Sequence, residues 1–549
     1  MAAEEYLFVG ILVIGAGLAK FAEKYRFPYP IPLIVSGIIL AQIFPQQGFV
    51  EEIGIEFIAQ LTLAAVLFYA GLTLNVKELR LSIWSVLLLA TLGVLLTSVI
   101  AGLTIALILG SSIVLVAAAY LIGAILSPTD PAALFSVLES GGVRVKRKLF
   151  SILEGEAVFN DATSVILVLT VFEPLVVEPL QQELGLVVLD FILSMGLGVV
   201  IGYAVAYGIG RLLHITGEDT NIAILTAATP ILTYGIGEAA SLFLEGVHLP
   251  GVHPGALACV FTGIFMANAR RLGLEVLPQK SMRGVMKNVS FAFEIVIFIL
   301  LGFTLDTVFL LSNPGTVVSG IVVALLVIFV ARPASVFLVT SPDRSMGARD
   351  RFFLSWAGVK GVASAALAAI AVSVITDNQN YFISNNLDYV LLGNQINSII
   401  FIVLMISLIL QGLTTPFLAT RLNLVEEADL AEEISAHRDA TRHALLQIVD
   451  LYTEGKIPKD LYLRMKAELE EEIFTLEDEI RKLVSDKRAR EQELEVREMV
   501  LSYKLSYLQS EYEEGRLSDV AYDDERSEIE AEIEDIMMRL KLTREGKHA

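Results

Sequence analysis

Residues 127–161 read SPTDPAALFSVLESGGVRVKRKLFSILEGEAVFND, two strongly apolar stretches joined by a basic loop. Both stretches carry polar or acidic side chains where hydrocarbon is expected. Asp130 stands between Pro128 and Pro131, and Asn160 and Asp161 stand side by side. An ionisable side chain at the centre of a bilayer costs roughly 2.5–3.5 kcal/mol on insertion scales, so its presence points to function. The remainder of the chain reads as scaffold, gate or tail around these residues.

The chain has 549 residues, of which 55% are hydrophobic and 18% charged. Soluble domains carry about 25% charge. Thirteen apolar segments lie between residues 6 and 419, among them 113–138, 149–171, 288–310, 316–339 and 352–375. Each is near the ~20 residues that cross a ~30 Å hydrocarbon core, which predicts an all-α polytopic membrane protein with 13 transmembrane helices. The first segment lacks a basic flank and is expected to be a retained helix rather than a cleaved leader. One cysteine, Cys259, excludes an intramolecular disulfide framework and a Cys-rich metal site.

Basic residues alternate between loops. Lys24 and Arg26, Lys77 and Arg80, Arg144 to Lys148, Arg211, Arg270 to Lys287 and Arg344 to Arg351 follow the odd-numbered segments. The intervening loops, 46–53, 110–112, 172–185, 244–253, 311–315 and 376–388, contain no Lys or Arg. Positive charge stays inside, so the N-terminus is expected outside and the C-terminal tail in the cytoplasm of a cell-membrane protein.

Two segments are interrupted, the fifth by Pro128-Thr129-Asp130-Pro131 and the twelfth by Gly358-Val359-Lys360-Gly361. Proline removes a backbone donor and clashes with the preceding turn. Freed backbone groups at membrane depth need protein or a water-filled cavity to receive them. A pair of broken helices is the pattern of inverted-repeat transporters, with the site at their crossing.

The sequence divides into residues 1–424, membrane-embedded, and 425–549, an acidic helical tail. The tail holds 34 acidic and 19 basic residues, net −15 of the total −21, which argues against nucleic acid as a partner. It repeats with a period of 60: Tyr452 answers Tyr512, Gly455 answers Gly515, Tyr462 answers Tyr522. Each copy reads as helix, glycine turn, helix, with Leu461, Met465, Leu469 and Ile473 as an apolar stripe. No phosphate-binding loop occurs in the tail.

A carboxylate in a dry site has its proton affinity raised unless a cation or donor stands beside it. A proton and a monovalent cation then compete for the same oxygen, and that competition is an exchange mechanism. Thr129 and Asn160 add neutral oxygens to Asp130 and Asp161, a set suited to one positive charge rather than to a divalent ion. Glu156 is a second buried acid; Arg332 and Lys360 are the intramembrane bases available to it, and Glu294 is a further intramembrane acid, these charges being expected to form structural pairs. His248 and His253 fall in an outer loop and His214 in an inner one, where solvation accounts for them. No nucleophile–base constellation is present, so an enzyme is not expected.

SPTDP followed by EGExxFND, with Pro30, Pro32, Arg332-Pro333 and Trp356-Ala-Gly358-Val-Lys360-Gly361, resembles the NhaP-type branch of the monovalent cation/proton antiporters. The resemblance covers roughly residues 1–420. It implies a homodimer in which a six-helix core moves against a dimerisation domain. It also implies that Asp161 binds the transported cation or proton, that Thr129 and Asp130 lie at the crossing of the broken helices, that Asn160 holds the crossing together, and that Glu156 pairs with Arg332. Asn before the key Asp implies electroneutral one-for-one exchange of Na⁺ or Li⁺ for H⁺, with no cofactor. Three positions depart from the family pattern: Tyr69 where many relatives have an acid, Ala157 where Ser is frequent, and Lys360 where Arg is usual. The first two leave the site poorer in oxygen, which favours a more easily dehydrated ion such as K⁺. A channel-like cation pathway and a membrane sensor are the readings from other classes.

Overall fold

In hydrocarbon every backbone N–H must be satisfied within its own segment or by neighbouring protein, so long apolar runs fold as helices. The computed structural model describes residues 2–25, 27–44, 54–80, 82–109, 113–130, 134–135, 138, 145–172, 176, 184–216, 219–246, 251–269, 278–384, 387–425, 430–453, 455–513, 516–517 and 519–544. Arg26, Pro131, Arg144, His248, Arg270, Arg271 and Gly515, singled out above, lie outside these residues. Among the described residues there is no strand, only an isolated bridge between Val145 and Val425. The chain divides into two compact units, Met1–Glu426 and Glu427–Ala549.

The first unit contains α1 (Ala2–Lys24), α2 (Pro30–Ile43), α3 (Ile55–Thr73), α4 (Ile83–Leu88 continued by Val94–Leu109), α5 (Ile113–Ile125), α6 (Arg147–Ile166), α7 (Leu184–Thr216), α8 (Asp219–Glu245), α9 (Gly255–Ala267) and α10 (Gln279–Phe303). It continues with α11 (Pro314–Leu326 and Arg332–Val339), α12 (Ala348–Trp356), α13 (Val362–Asp377) and α14 (Tyr389–Ser407 and Leu413–Arg421). Among the described residues, seven helical stretches are long and apolar enough to cross a membrane, and four shorter apolar helices accompany them. The protein is a multi-pass membrane protein. The halves of α4, α11 and α14 join through π-helical turns at Leu89–Gly93, Val327–Ala331 and Leu408–Gly412, and α6 runs on into another at Leu167–Phe172. Such turns insert one residue into a helix and rotate everything beyond it.

Small residues let helices approach where lipid offers no hydrophobic drive. A methyl on Gly37 of α2 would stand 2.0 Å from the carbonyl oxygen of Ile299 on α10, and one on Gly302 would stand 2.0 Å from that of Ile34. Gly71 of α3 and Gly263 of α9 approach in the same reciprocal way. Segment 288–310 differs from expectation. Its helix starts earlier, so that Arg283 and Lys287 lie within α10, and it stops at Phe303 before a separate short helix, Thr307–Ser312. Asp306 accepts a bond from the N–H of Phe309 at 2.9 Å and so starts that second helix, a capping role that hydropathy does not reveal.

The loop between α11 and α12 is fastened by Asp343. Its carboxylate accepts from the Ser345 N–H at 2.9 Å and the Ser85 hydroxyl at 2.9 Å, lies 3.6 Å from Lys148 Nζ, and also meets the Ser345 hydroxyl. Partial burial alone would raise its pKa; the bonds from Ser345 and Ser85 and the charge of Lys148 outweigh it and bring the value down to about 2. A carboxylate depressed in the folded state stabilises above its unfolded pKa and loses that contribution as pH falls toward the folded value. Asp343→Asn is therefore expected to lower the thermal midpoint at pH 7, with the difference from wild type shrinking between pH 4 and pH 2.

The second unit comprises α15 (Leu430–Thr453), α16 (Lys459–Glu513) and α17 (Asp519–Arg544). The 60-residue repeat is visible in its turns. Tyr452 stacks on Tyr462 with ring centroids 4.3 Å apart, and Tyr512 stacks on Tyr522 at 4.3 Å. The N–H of Lys456 bonds the carbonyl of Leu451 at 2.9 Å, and that of Arg516 bonds the carbonyl of Glu511 at 2.9 Å. Gly455 has φ +71°, the left-handed position that closes a helix end in this way. Two features differ from the expected pair of hairpins. The hairpins share one 55-residue helix, α16. The stripe is also displaced: Leu461 and Met465 are 36% and 38% exposed, and the seam runs from Tyr462 through Leu469 and Ile473 to Leu476. Leu469 and Ile473 of the expected stripe stay in the seam, while Tyr462 and Leu476 join it in place of Leu461 and Met465.

Candidate ion-binding site

The site forms where two helices stop. α5 ends at Ile125 and α12 at Trp356, and residues 126–130 and 357–361 continue without helix. The stretches bond to each other: the Asp130 N–H donates to the Val359 carbonyl at 2.7 Å, and an Asp130 carboxylate oxygen accepts from the Val362 N–H at 3.2 Å, capping α13. Side chains meet other freed carbonyls. Ser164 donates to Ala124 and Ser364 to Ile125, both at 2.7 Å. Lys360 Nζ donates to Ser127 at 3.3 Å and Pro128 at 3.1 Å. Gln411 donates to Trp356 at 2.8 Å, while Ser407, at the π turn of α14, accepts from the Lys360 N–H at 3.0 Å. Ser164, Ser364, Ser407 and Gln411 were not singled out in the sequence. Ser164 lies three residues after Asp161 on the same face of α6, and Ser364 lies in the first turn of α13.

The glycines flanking Lys360 provide space rather than flexibility. A methyl on Gly361 would stand 2.0 Å from an Asp130 oxygen, and one on Gly358 would stand 2.7 Å from Arg332 Nε. Gly361→Ala is expected to lower exchange at least tenfold by displacing Asp130. Gly393→Ala, whose nearest neighbour would be 3.9 Å away, serves as the control in the same reconstituted assay.

α6 brings Glu156, Asn160 and Asp161 to this crossing, all buried. Asn160 Nδ2 donates to Thr129 Oγ1 at 2.8 Å, tying α6 to the unwound end of α5. Asn160 Oδ1 and Asp161 Oδ1 are both buried and have no hydrogen-bond partner among the described residues. Buried oxygens are normally satisfied, so two orphans side by side mark a place for a ligand. Ala157 is buried and brings no oxygen.

Of the two bases open to Glu156, Arg332 takes it: its two terminal nitrogens meet the two carboxylate oxygens at 2.5 and 2.8 Å, with Glu156 0% and Arg332 3% exposed. A bidentate fork of this kind compensates both charges. Lys360 instead serves the freed carbonyls. Glu294 is the exception to the expected pairing. Among the described residues no Lys or Arg meets it, and its partner is the hydroxyl of Tyr29, at 2.6 Å. His253 also departs from expectation: its N–H donates to Ser194 at 2.8 Å, its Nδ1 is buried without a partner, and burial lowers its affinity for a proton.

Two interrupted helices crossing in an all-helical membrane unit, with orphaned anionic and amide oxygens beside the crossing, define a carrier of small cations. The family model "Sodium/hydrogen exchanger, transmembrane" matches residues 9–421, and the chain belongs to that family. It is 27% identical over 432 residues to the K⁺/H⁺ antiporter NhaP2 of Shewanella sp. (strain ANA-3), covering 77% of this chain and 67% of that protein. It is 26% identical over 482 residues to the Na⁺/H⁺ antiporter ApNhaP of Aphanothece halophytica, covering 84% and 82%. The structure of the sodium proton antiporter MjNhaP1 from Methanocaldococcus jannaschii superposes with a TM-score of 0.65 at 24% identity, over 75% of this chain and 99% of that one, a likeness of fold.

Proposed function

We propose that the chain is an electroneutral Na⁺(Li⁺)/H⁺ antiporter working by alternating access, with cation and proton competing for Asp161. The observation that carries this reading is the pair of unpartnered, buried oxygens on Asp161 and Asn160. Charge bookkeeping supports the stoichiometry. Glu156 is matched by Arg332. Asp161 has no ion-pair partner among the described residues, and one cation or one proton neutralises it. A neutral carrier crosses hydrocarbon far more readily than a charged one, so the empty, ionised state does not move and exchange is coupled. Thr129 and Asp130 position the site, Asn160 holds α6 to the crossing, and Lys360 secures the unwound stretch.

In this reading the chain crosses the cell membrane thirteen times in two inverted repeats. The alternation of basic loops supports an N-terminus outside and residues 425–549 as a cytoplasmic domain. Homodimerisation follows from the family resemblance. A K⁺/H⁺ antiporter is the second reading, favoured by Tyr69 and Ala157, which remove oxygens from the site, and by relatives named K⁺/H⁺ antiporters. The test is dissipation of an imposed pH gradient in proteoliposomes on adding Na⁺, Li⁺ or K⁺ separately, with the membrane potential clamped at several values. Na⁺ and Li⁺ responses independent of potential support the first reading. A response to K⁺ alone supports the second, and conductance without coupled proton movement rejects both.

A further inference from the structure

A cavity of about 830 Å³ lies between α3, α10, α13 and α14. Glu56 lines it at the start of α3 and Asp377 at the end of α13. Its α10 wall consists of Ile297, Leu300, Leu301 and Thr304, and its first α13 residue is Ala365. Glu294 lies three residues before Ile297 and seven before Leu301, on the same face of α10. Val362, whose N–H holds Asp130, lies three residues before Ala365 on α13. Glu294 thus stands one turn along α10 from the cavity wall, and Val362, which holds Asp130, one turn along α13 from it.

Glu294 has a character that packing does not explain. It is 9% exposed, it has no basic partner among the described residues, and it is held by one hydroxyl, that of Tyr29. A buried, unpaired carboxylate is costly, and it is least so when it carries a proton. Tyr29 is fixed as donor by its place just before α2, with its ring edge-on to Phe291 and Phe298 of α10. α10 packs against α13, whose first N–H, that of Val362, holds Asp130. Of the other helices packed on α10, α3 presents Tyr69 to it. The remaining charged groups stand further off: Arg283 on α10 itself about three turns away, Glu56 and Asp377 at the cavity mouth, Glu238 of α8 near Glu56, and Glu23 of α1 near Lys287.

We propose that Glu294 is a proton relay between this cavity and the Asp130–Asp161 site. This rests on the antiporter reading and adds a residue to it. The carboxyl holds one proton at rest on the oxygen that Tyr29 does not engage. It passes that proton to the site when the cation leaves, and it is reprotonated from water in the cavity. Each cycle returns Glu294 to its starting state, so the one-for-one stoichiometry is unchanged.

The test compares wild type, Glu294→Gln and Glu294→Asp as full-length protein in proteoliposomes, with Na⁺-dependent thermal stabilisation of the same preparations as a second readout. Glutamine keeps an acceptor for Tyr29 and carries no transferable proton. The expected result is a Glu294→Gln rate at least tenfold below wild type, with loss of the rise of rate with proton concentration. Na⁺-dependent stabilisation should be unchanged, and Glu294→Asp should restore most of the rate. A Glu294→Gln pH profile equal to wild type overturns the relay and leaves the antiporter standing. Loss of rate together with Na⁺-dependent stabilisation shows a structural role and also overturns it. An inert wild type would remove the antiporter reading and the relay with it.

Discussion

Asp161→Asn abolishes cation-dependent proton exchange and leaves the fold intact. The substitution is nearly isosteric and sits on α6 among residues held by other contacts: Asn160 bonds Thr129, Ser164 bonds Ala124, and Glu156 bonds Arg332. What disappears is the carboxylate for which cation and proton compete. An amide neither binds a proton in the accessible pH range nor neutralises a cation, so both half-reactions stop together. The expected fall is to background, at least a hundredfold, with the gel-filtration profile and thermal midpoint near wild type. Uptake of ²²Na⁺ against a pH gradient, measured on protein that passes both checks, tests this; retained uptake would falsify the assignment of Asp161.

The second large effect is on stability. Arg332→Ala removes the partner of a fully buried carboxylate. Breaking such a pair from one side costs about 3–5 kcal/mol, because the remaining charge stays in a dry site. Replacing both partners by apolar residues of similar volume costs much less, since no charge is left alone. Arg332→Ala is thus expected to lose most of its folded yield, whereas Glu156→Met with Arg332→Met recovers it. Thermal denaturation of the three purified proteins decides the matter. A single variant as stable as wild type would show that the pair contributes little, and equal losses in single and double variants would show that packing, not charge, sets the cost.

Much of the architecture was legible because membrane depth punishes polar groups. Asp130 between prolines and Lys360 between glycines announced two interruptions, and the structure joins them through Asp130 and Val359. The 60-residue period of the tail reappears as two tyrosine stacks with matched turn bonds. What was not legible depends on partners far apart in the chain. Tyr29 and Glu294 are separated by 265 positions, and neither position predicts the other. Ser364, Ser407 and Gln411 are ordinary residues for a membrane helix, and only the three-dimensional crossing shows that they satisfy the broken backbone. His253 was assigned to solvent because loops usually are exposed, yet its bond to Ser194 of α7 draws it inward. Of the apolar stripe expected in the tail, Leu469 and Ile473 lie in the seam and Leu461 and Met465 do not, because near the turn Tyr462 stacks on Tyr452 and takes the inward place.

The central claim is that one carboxylate serves both ions, and the most direct measurement is the apparent KM for Na⁺ as a function of pH in proteoliposomes. Competition at Asp161 predicts that, on the acid side of the site's titration, KM rises about tenfold for each unit fall in pH while the maximal rate stays constant. A KM independent of pH, with the protons acting on the maximal rate alone, would contradict it and place the proton at a separate site.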